Sequence, residues 1–331
     1  MVDMTSIQAL RESAVVVDGA GHDVLRATGN DRVAFLHRIT SGTIAGKAPG
    51  QGSRTLLLDV RGRVLASLLA FVRAKSVRLI VPAGQGPDVA AGLAKFAVMD
   101  DFQIVPEAEL ATMAILGPRA EAALAAVGVA GLPPLLESPL YDHIDWASEP
   151  FGPLWIAHGR ASGSDGLCVV ASRPAREALL AALLAKGTPR LEPDIAEALR
   201  ISALEPKPGN EILPERFPVE VGLGVAIDHG KGCYVGQETI VRMRDRGIIR
   251  KRLVLLQLSG DDRPATGDKI AAAEQPTAGL ITSVGCLPGE HPIALAIVAS
   301  AVPVGASVQI QRDGATLAAE VVAESAPWGK S

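Results

Sequence analysis

The stretch Lys231-Gly232-Cys233-Tyr234-Val235-Gly236-Gln237-Glu238 combines residue types that could do chemistry. Cys233 is one of only three cysteines and follows a lysine by two residues. A thiol beside a cation, just ahead of a helix-forming run from Glu238 to Arg246, sits where the thiolate, its reactive form, is favoured. Glycine permits positive φ and close backbone approach, so Gly232 and Gly236 are expected to build a tight loop that presents the residues between them. The same residues also describe a small buried cysteine in a glycine turn, because free cysteine is among the most buried residue types.

A cationic segment follows. Arg242, Arg244, Arg246, Arg250, Lys251 and Arg252 stand against one acid, Asp245. Such a cluster could grip a polyanion, either phosphates or γ-linked glutamates, or it could be a solvated helix end and strand start. Glu238 and Arg242 are four apart and are expected to form a local ion pair. Asp100-Asp101 reads as a solvated turn rather than an acid–base pair, and His37 as a half-exposed structural histidine. His229 lies four residues before Cys233, but no second pair supplies the ligands a metal site needs. Gly222-Leu223-Gly224 lacks the third glycine of a dinucleotide fingerprint.

The elements that must position these residues can be read in order. Two short strands over 14–28 flank a turn at Asp18-Gly19-Ala20-Gly21. Asn30 is expected to cap a helix from Asp31 to Ile39. Strands Arg54–Val60, Val64–Val72 and Val77–Val81 form a meander. A helix from Gly86 to about Val98, a strand Thr112–Leu116 and a helix Arg119–Val127 come next. Residues 128–150 read as a long loop, then strands near 153–158 and 167–171 precede helices at 174–186 and 193–204. Residues 205–230 are irregular, and long loops are often functional. After Gly247 come strands at 251–258, 278–285, 293–299, 306–311 and 315–322 with no helix between them, which predicts a barrel or sandwich. The pattern is α+β, with one region over 1–247 and an all-β domain over 248–331.

Composition bounds the rest. A chain of 331 residues with 48% apolar and 21% charged content builds more than one core. Aromatics at 3% leave few stacking platforms, and a net charge of -4 argues against a globally basic nucleic-acid binder. Three distant cysteines with no CxxC point to a reducing compartment, and the cytoplasm is expected. The first residues do not have the pattern of a signal or transit peptide. The longest apolar runs, Val64–Val72 and Pro292–Val304, fall short of the roughly 20 residues of a membrane span.

Lys231–Glu238 resembles the K-G-C-Y-x-G-Q-E signature of the YgfZ-type folate-binding proteins, relatives of the glycine cleavage system aminomethyltransferase that include mitochondrial iron–sulfur maturation factors. The resemblance covers most of the chain. Val24–Ile39 is similar to the family's opening strand and helix, and Leu56–Leu69 to its L-L-D-x-x-G-R-x-L hairpin. Arg200–Glu211 is similar to R-x-x-x-G-x-P-x-x-G-x-E, Gly247–Arg252 to R-G-x-x-R-K-R, and Gly279–Gly305 to the C-terminal barrel.

The resemblance implies a GcvT-like fold, with two α+β modules and an all-β barrel in a ring around a channel. It implies a folate-dependent accessory factor that assembles or repairs four-iron–four-sulfur clusters in target enzymes, including those that modify tRNA. Tetrahydrofolate or a one-carbon folate is the implied cofactor, and apoenzymes and cluster carriers are the implied partners. No stably bound metal, no membrane and no direct nucleic-acid contact are expected. In that setting Cys233 would be a transient ligand of cluster or sulfur, or a redox thiol, and Lys231 would hold it charged. Gly232, Tyr234, Gly236, Gln237 and Glu238 would shape the loop. Arg200, Glu205, Arg242, Arg246 and Arg250 would contact folate.

Four departures qualify this. Aminomethyltransferases end the hairpin G-G-I-x-D-D, with a catalytic aspartate; here it reads Gly62-Arg63-Val64-Leu65-Ala66-Ser67, which speaks against aminomethyl transfer. The folate-contacting glutamate of R-L-E-A-G is Ser202, with Glu205 as its substitute. The central glycine of the Arg200 segment is Leu204. The residues before Lys231, usually an aromatic and a lysine, are His229 and Gly230. A folate-dependent one-carbon enzyme and a tRNA-binding accessory protein are the alternative readings.

Overall fold

The computed structural model describes residues 4–18, 21–273, 275–312 and 314–328. Gly19 and Ala20 of the expected first turn lie outside the described residues. The chain forms two compact units. The first is Met1–Leu57, Ala66–Glu192 and Asp228–Val235; the second is Leu58–Leu65, Pro193–Ile227 and Gly236–Ser331.

In the first unit the strands are β1 (Val15–Val17), β2 (His22–Thr28), β3 (Gly52–Leu58), β4 (Val64–Val72), β5 (Val77–Pro82), β6 (Gln103–Pro106), β7 (Leu110–Leu116), β8 (His143–Ser148), β9 (Gly152–Ala161) and β10 (Ser164–Ser172). The helices are α1 (Met4–Glu12), α2 (Arg32–Ile39), α3 (Gly86–Ala94), α4 (Ala120–Ala126) and α5 (Arg173–Ala185). The strands make two five-stranded sheets, ordered β3-β4-β5-β2-β6 and β1-β7-β10-β9-β8.

Side chains alternate across a strand, so β4 serves both faces of its sheet. Ala66, Leu68 and Ala70 join Phe35, Leu36 and Ile39 of α2 and Leu93 of α3 in one core. Phe71 points the other way and meets Trp155, Ala157 and Val170 of the second sheet. The outer face of that sheet packs on Leu124 of α4 and Leu179 and Leu183 of α5. Ser172 caps α5 by accepting from the Ala175 N–H at 3.4 Å, and Pro174 suits the first turn, where an N–H has no partner to lose.

In the second unit α6 (Pro193–Ser202) and α7 (Gln237–Arg246) accompany β11 (Lys251–Leu258), β12 (Lys269–Ala272), β13 (Gln275–Gly285), β14 (Ile293–Ala299), β15 (Ser307–Arg312) and β16 (Ala315–Glu324). The six strands close a barrel in the order β11-β14-β13-β12-β15-β16. Val254, Leu256, Ala296, Val298, Ile310 and Val321 fill it. The expected α+β region and all-β barrel are both present. Among the described residues no helix is long and apolar enough to cross a membrane.

Several local expectations are corrected. Residues 128–150 are not one loop: they contain a 3-10 turn at Leu135–Glu137 and the strand β8. Gly, Pro and acids around it disguise β8, an edge strand that among the described residues pairs with β9 alone. The barrel's β12 also escapes sequence reading because it is four residues long. The strands β1 and β2 enter different sheets, and α3 ends at Ala94, short of Val98. Asn30 does not cap α2. Asp31 holds that position, and its carboxylate instead accepts from the Asp101 N–H at 2.8 Å, while the Asn30 N–H donates to Asp101 at 2.9 Å. The Asp100-Asp101 turn therefore docks on the start of α2, with Asp100 also paired to Arg38 at 2.9 Å.

The Arg200–Glu211 segment is a closed polar network. Arg200 Nε and Nη2 donate to Glu197 at 2.9 and 2.8 Å. Nη1 donates to the Glu205 carbonyl and to Glu211 at 3.3 Å, and Nη2 also reaches Ser283 at 2.8 Å. Glu211 is fully buried and accepts from Ser283 at 2.7 Å and from the Lys207 N–H at 3.0 Å. Asn210 donates to the Thr282 carbonyl at 2.8 Å, so the segment clasps the irregular pairing of β13 at Ile281–Ser283. Burial works against the Glu197 charge, but Arg200 and Lys207 outweigh it and lower its pKa from 4.5 to about 2.

The exit of α6 is strained. The Glu205 N–H bonds the Arg200 carbonyl at 3.1 Å and the Leu204 N–H bonds that of Ile201 at 2.9 Å, the paired bonds of a helix stop that calls for a left-handed residue. Leu204 fills that position at φ 54°, where glycine is normal.

Two outcomes are expected. Leu204→Gly should raise stability by about 0.5–1 kcal/mol in urea unfolding. Glu197→Gln should cost roughly 1–3 kcal/mol at pH 7. A carboxylate with a depressed folded-state pKa contributes fully above its unfolded value of 4.5 and loses that contribution as pH falls toward about 2. The gap between wild type and Glu197→Gln should therefore close across that window.

Candidate functional site

Residues 228–235 belong to the first unit, and Lys231 anchors them there. Its Nζ donates to the carbonyls of His37, of Thr40 at 2.5 Å and of Gly42 at 2.9 Å. The end of α2 leaves carbonyls without intrahelical partners, and a cation is favoured at a helix C-terminus. A lysine ammonium has three hydrogens, and all three are used here. The accepting loop is itself pinned to β3: the Ser41 N–H bonds the Leu56 carbonyl at 3.0 Å, and the Gly42 N–H bonds Thr55 Oγ1 at 2.6 Å.

Asp228 makes a second anchor. Its N–H bonds the Ser41 carbonyl at 3.0 Å, and its carboxylate accepts from the Gly230 N–H at 2.8 Å and from the Thr43 hydroxyl. The Thr43 and Gly230 bonds hold its pKa below the usual carboxylate range. Burial lowers Lys231 to about 8 against the pull of Asp228, so at neutral pH it remains an ammonium. His37 accepts from the Ile44 N–H at 3.2 Å through Nδ1. Burial and then Lys231 push its pKa down, against Asp228, which keeps that nitrogen an acceptor.

On the far side of the cysteine, Tyr234 is buried with its ring 5.5 Å from the Lys231 ammonium, and Val235 packs against the α2 core. Gly232 and Cys233 between these anchors are exposed. Cys233 is the exposed thiol; Cys168 and Cys286 are half-buried, and burial pushes Cys168 up to about 12.

Two expectations change. The Lys231 hydrogens go to three carbonyls rather than to the thiol, so Lys231 positions the loop. Gly232 has no positive φ, and a Cβ there would meet nothing within 4 Å, so the loop's backbone does not require a glycine at that position.

In the second unit Gly236 does carry the strain expected of it. Its φ is 80°, and a Cβ would lie 2.3 Å from the Asp59 carbonyl oxygen and 2.9 Å from Gly62 Cα. Asp59 in turn accepts from the Arg61 and Arg63 N–H groups at 2.8 Å each, which closes the hairpin tip. Gln237, half-buried, then opens α7, whose one buried side chain is Ile240. Glu238 and Arg242 form the expected ion pair at 2.6 Å, fully in solvent. Arg252 leaves the basic cluster: it pairs with Glu324 and bonds the Val302 carbonyl. Arg246, Arg250 and Lys251 stay exposed with no carboxylate partner among the described residues.

Arg200 was expected to touch folate. Its five N–H groups are all bonded within the protein, so it is structural. Glu205 contributes its carbonyl to that network. Ser202, at the family's glutamate position, donates back to the Ala198 carbonyl at 2.9 Å. Sequence reading missed Asp228, Thr43 and Asp59; the only signal was an acid three residues before Lys231 and another opening the Arg61-Gly62 turn.

Residues 4–231 match the GCVT N-terminal domain. The chain belongs to that family. A transferase-like chloroplastic protein of Arabidopsis thaliana is 26% identical over 80% of this chain, which spans 61% of that relative's length. The aminomethyltransferase of Thermosynechococcus vestitus is 26% identical over 83% of this chain and 74% of its own. The crystal structure of the glycine cleavage system aminomethyltransferase T of Bartonella henselae superposes with a TM-score of 0.85 over 97% of this chain and 88% of that one. At 22% identity that likeness is one of fold.

A folate presents a pterin edge of adjacent N–H donors, met by carboxylates or amides, and a polyanionic tail, met by cations. Arg246, Arg250 and Lys251 fit the tail. For the pterin edge this member of the GCVT family has a serine turned back on its helix at 202, with Glu205 the nearby carboxylate. Among the described residues no group of three or more His, Cys, Asp and Glu side chains could hold a metal ion.

Gly232→Ala should change stability by less than about 0.5 kcal/mol. Gly236→Ala forces a Cβ onto backbone at positive φ and should cost roughly 2–4 kcal/mol, read from denaturant midpoints.

Proposed function

We propose that this GCVT-family protein is an accessory factor for assembly or repair of four-iron–four-sulfur clusters, rather than an aminomethyltransferase. The supporting observation is the Gly232-Cys233 tip, an exposed thiol held between the half-buried Lys231 and the buried Tyr234. A thiol so placed can approach the iron or sulfur of a client's cluster without rearranging the loop. Gln237 and Glu238 begin the helix that follows, and Arg242, Arg246 and Arg250 carry positive charge for an anionic partner. The clients are iron–sulfur apoenzymes and cluster carriers in a reducing compartment, the cytoplasm. Tetrahydrofolate or a one-carbon folate is the cofactor that the sequence resemblance implies, with Arg246 and Arg250 as cations for its tail and Glu205 as the carboxylate for its pterin edge.

The relatives' name makes aminomethyl transfer the alternative. Ala66 and Ser67 provide no carboxylate where the resemblance places the catalytic one. Ser67 instead accepts from Arg54 at 3.2 Å.

Deleting the gene should lower a four-iron–four-sulfur enzyme's activity and spare a two-iron–two-sulfur enzyme in the same extract, with wild type but not Cys233→Ala restoring it. Unchanged activities, or full rescue by Cys233→Ala, would sink the proposal. Turnover of an aminomethyl donor with tetrahydrofolate by the purified chain would establish the alternative.

A further inference from the structure

The hairpin tip of the second unit brings two arginines together. Asp59 closes the tip by accepting from the Arg61 and Arg63 N–H groups at 2.8 Å each. The Val64 N–H donates to the Arg216 carbonyl at 3.1 Å, so the backbones of Arg63 and Arg216 run side by side. Both residues belong to the second unit, and both are half-buried. Their flanks are open to solvent. Val60 and Leu65 are 77% and 52% exposed, and Pro214 and Glu215 are exposed beside Arg216.

Among the described residues neither side chain has a partner. The Nε of Arg63 and the Nε of Arg216 are each buried away from solvent with no acceptor. No ion pair or side-chain hydrogen bond engages the rest of either guanidinium among those residues. The acids of the same segments are engaged elsewhere. Asp59 holds its two backbone N–H groups, and Glu220 accepts from the Phe217 N–H at 3.2 Å. Two other arginines of the unit give the contrast. Arg200 is held by Glu197 and Glu211. Arg252 also has an unbonded Nε, but its other nitrogens reach Glu324 and the Val302 carbonyl. A buried N–H without an acceptor costs more than a made bond gains, and a charge raises that cost. Two such donors on neighbouring backbones mark a place for an anion.

We propose that Arg63 and Arg216 together bind a phosphate group, either the free ion or the head of a phosphate monoester. Two guanidiniums carry two positive charges, and a phosphate monoester near pH 7 carries about −1.5 to −2. A carboxylate would balance one cation and leave the other unpaired. The planar fork of a guanidinium matches phosphate oxygens, so side chains that turn onto the ion gain acceptors for N–H groups that now have none. The site shares no residue with the basic segment from Arg242 to Arg252. It is also independent of the iron–sulfur reading, because Cys233 takes no part in it.

The test uses the full chain in phosphate-free buffer. Titration calorimetry with inorganic phosphate should show a single site. Arg63→Gln and Arg216→Gln should each weaken it about tenfold, and the double variant should abolish it. Arg263→Gln, which changes an exposed arginine elsewhere in the unit, should leave it within about twofold. Thermal unfolding separates binding from structure. Without phosphate, both single variants should melt within about 2 °C of wild type, because no bonded partner is lost. Phosphate at about a hundred times its Kd should raise the wild-type Tm by about 4 °C and leave the double variant unmoved. Glycerol 3-phosphate identifies the source: it displaces phosphate if the group arrives on a monoester and does not if the free ion is the ligand, and the site stands in either case. The proposal fails if acetate at equal ionic strength raises Tm as much as phosphate does, or if either glutamine variant binds phosphate like wild type. It also fails if the single variants lose several degrees without phosphate, since the guanidiniums would then be structural. Cys233→Ala should not change phosphate binding, so the thiol's role is judged separately by the iron–sulfur assays.

Discussion

The placement of the exposed thiol depends on a single ammonium. Helix α2 is short and stops at Ile39, and the chain beyond it turns without forming a strand, so several carbonyls point at one spot. Lys231 fills that spot with three hydrogens for three acceptors. Removing the cation would leave the carbonyls half-buried and unbonded, which is costlier than the bonds are favourable. The adjacent Asp228 keeps local charge near balance and ties the same loop from the other side. The exposed tip is thus held between a half-buried lysine and a buried tyrosine.

The segments that resemble family motifs turn out to be mostly architecture. Arg200 and Glu211 open and close one such segment, and they bond each other and Ser283. Gly236 is demanded by the backbone of the Asp59–Arg63 turn. A buried ion pair of this kind is weak evidence for stability but strong evidence against breaking it, because either partner left alone would be an uncompensated charge. That physics accounts for the spacing of these residues without any ligand.

Where the chain departs from the pattern it resembles, the side chains are bonded locally or strained. Ser67 accepts from Arg54, Ser202 is turned back on α6, and Leu204 occupies a left-handed position. None of the three preserves the chemistry it replaces. The likeness to the aminomethyltransferase is one of fold, and a shared fold does not by itself fix a shared activity.

The sequence alone determined the element types wherever periodicity and punctuation were strong: the β3–β5 meander, α5, α7 between Gly236 and Gly247, five of the six barrel strands, and the Glu238–Arg242 pair. These rest on local rules, alternation by two, helical spacing by four and glycine at positive φ, so they are legible without a fold. It marked Cys233 and its loop for the same reason, an unusual run of residue types. It could not show that Lys231 serves carbonyls nearly two hundred residues away, that Arg200 has no hydrogen left for a ligand, or that Gly232 is free of backbone constraint. It also missed β8 and β12, whose short stretches are strands only because a neighbour pairs with them. Those decisions belong to the tertiary structure, because a donor's role is set by which acceptors the fold brings within about 3 Å, and spacing along the chain carries no record of that.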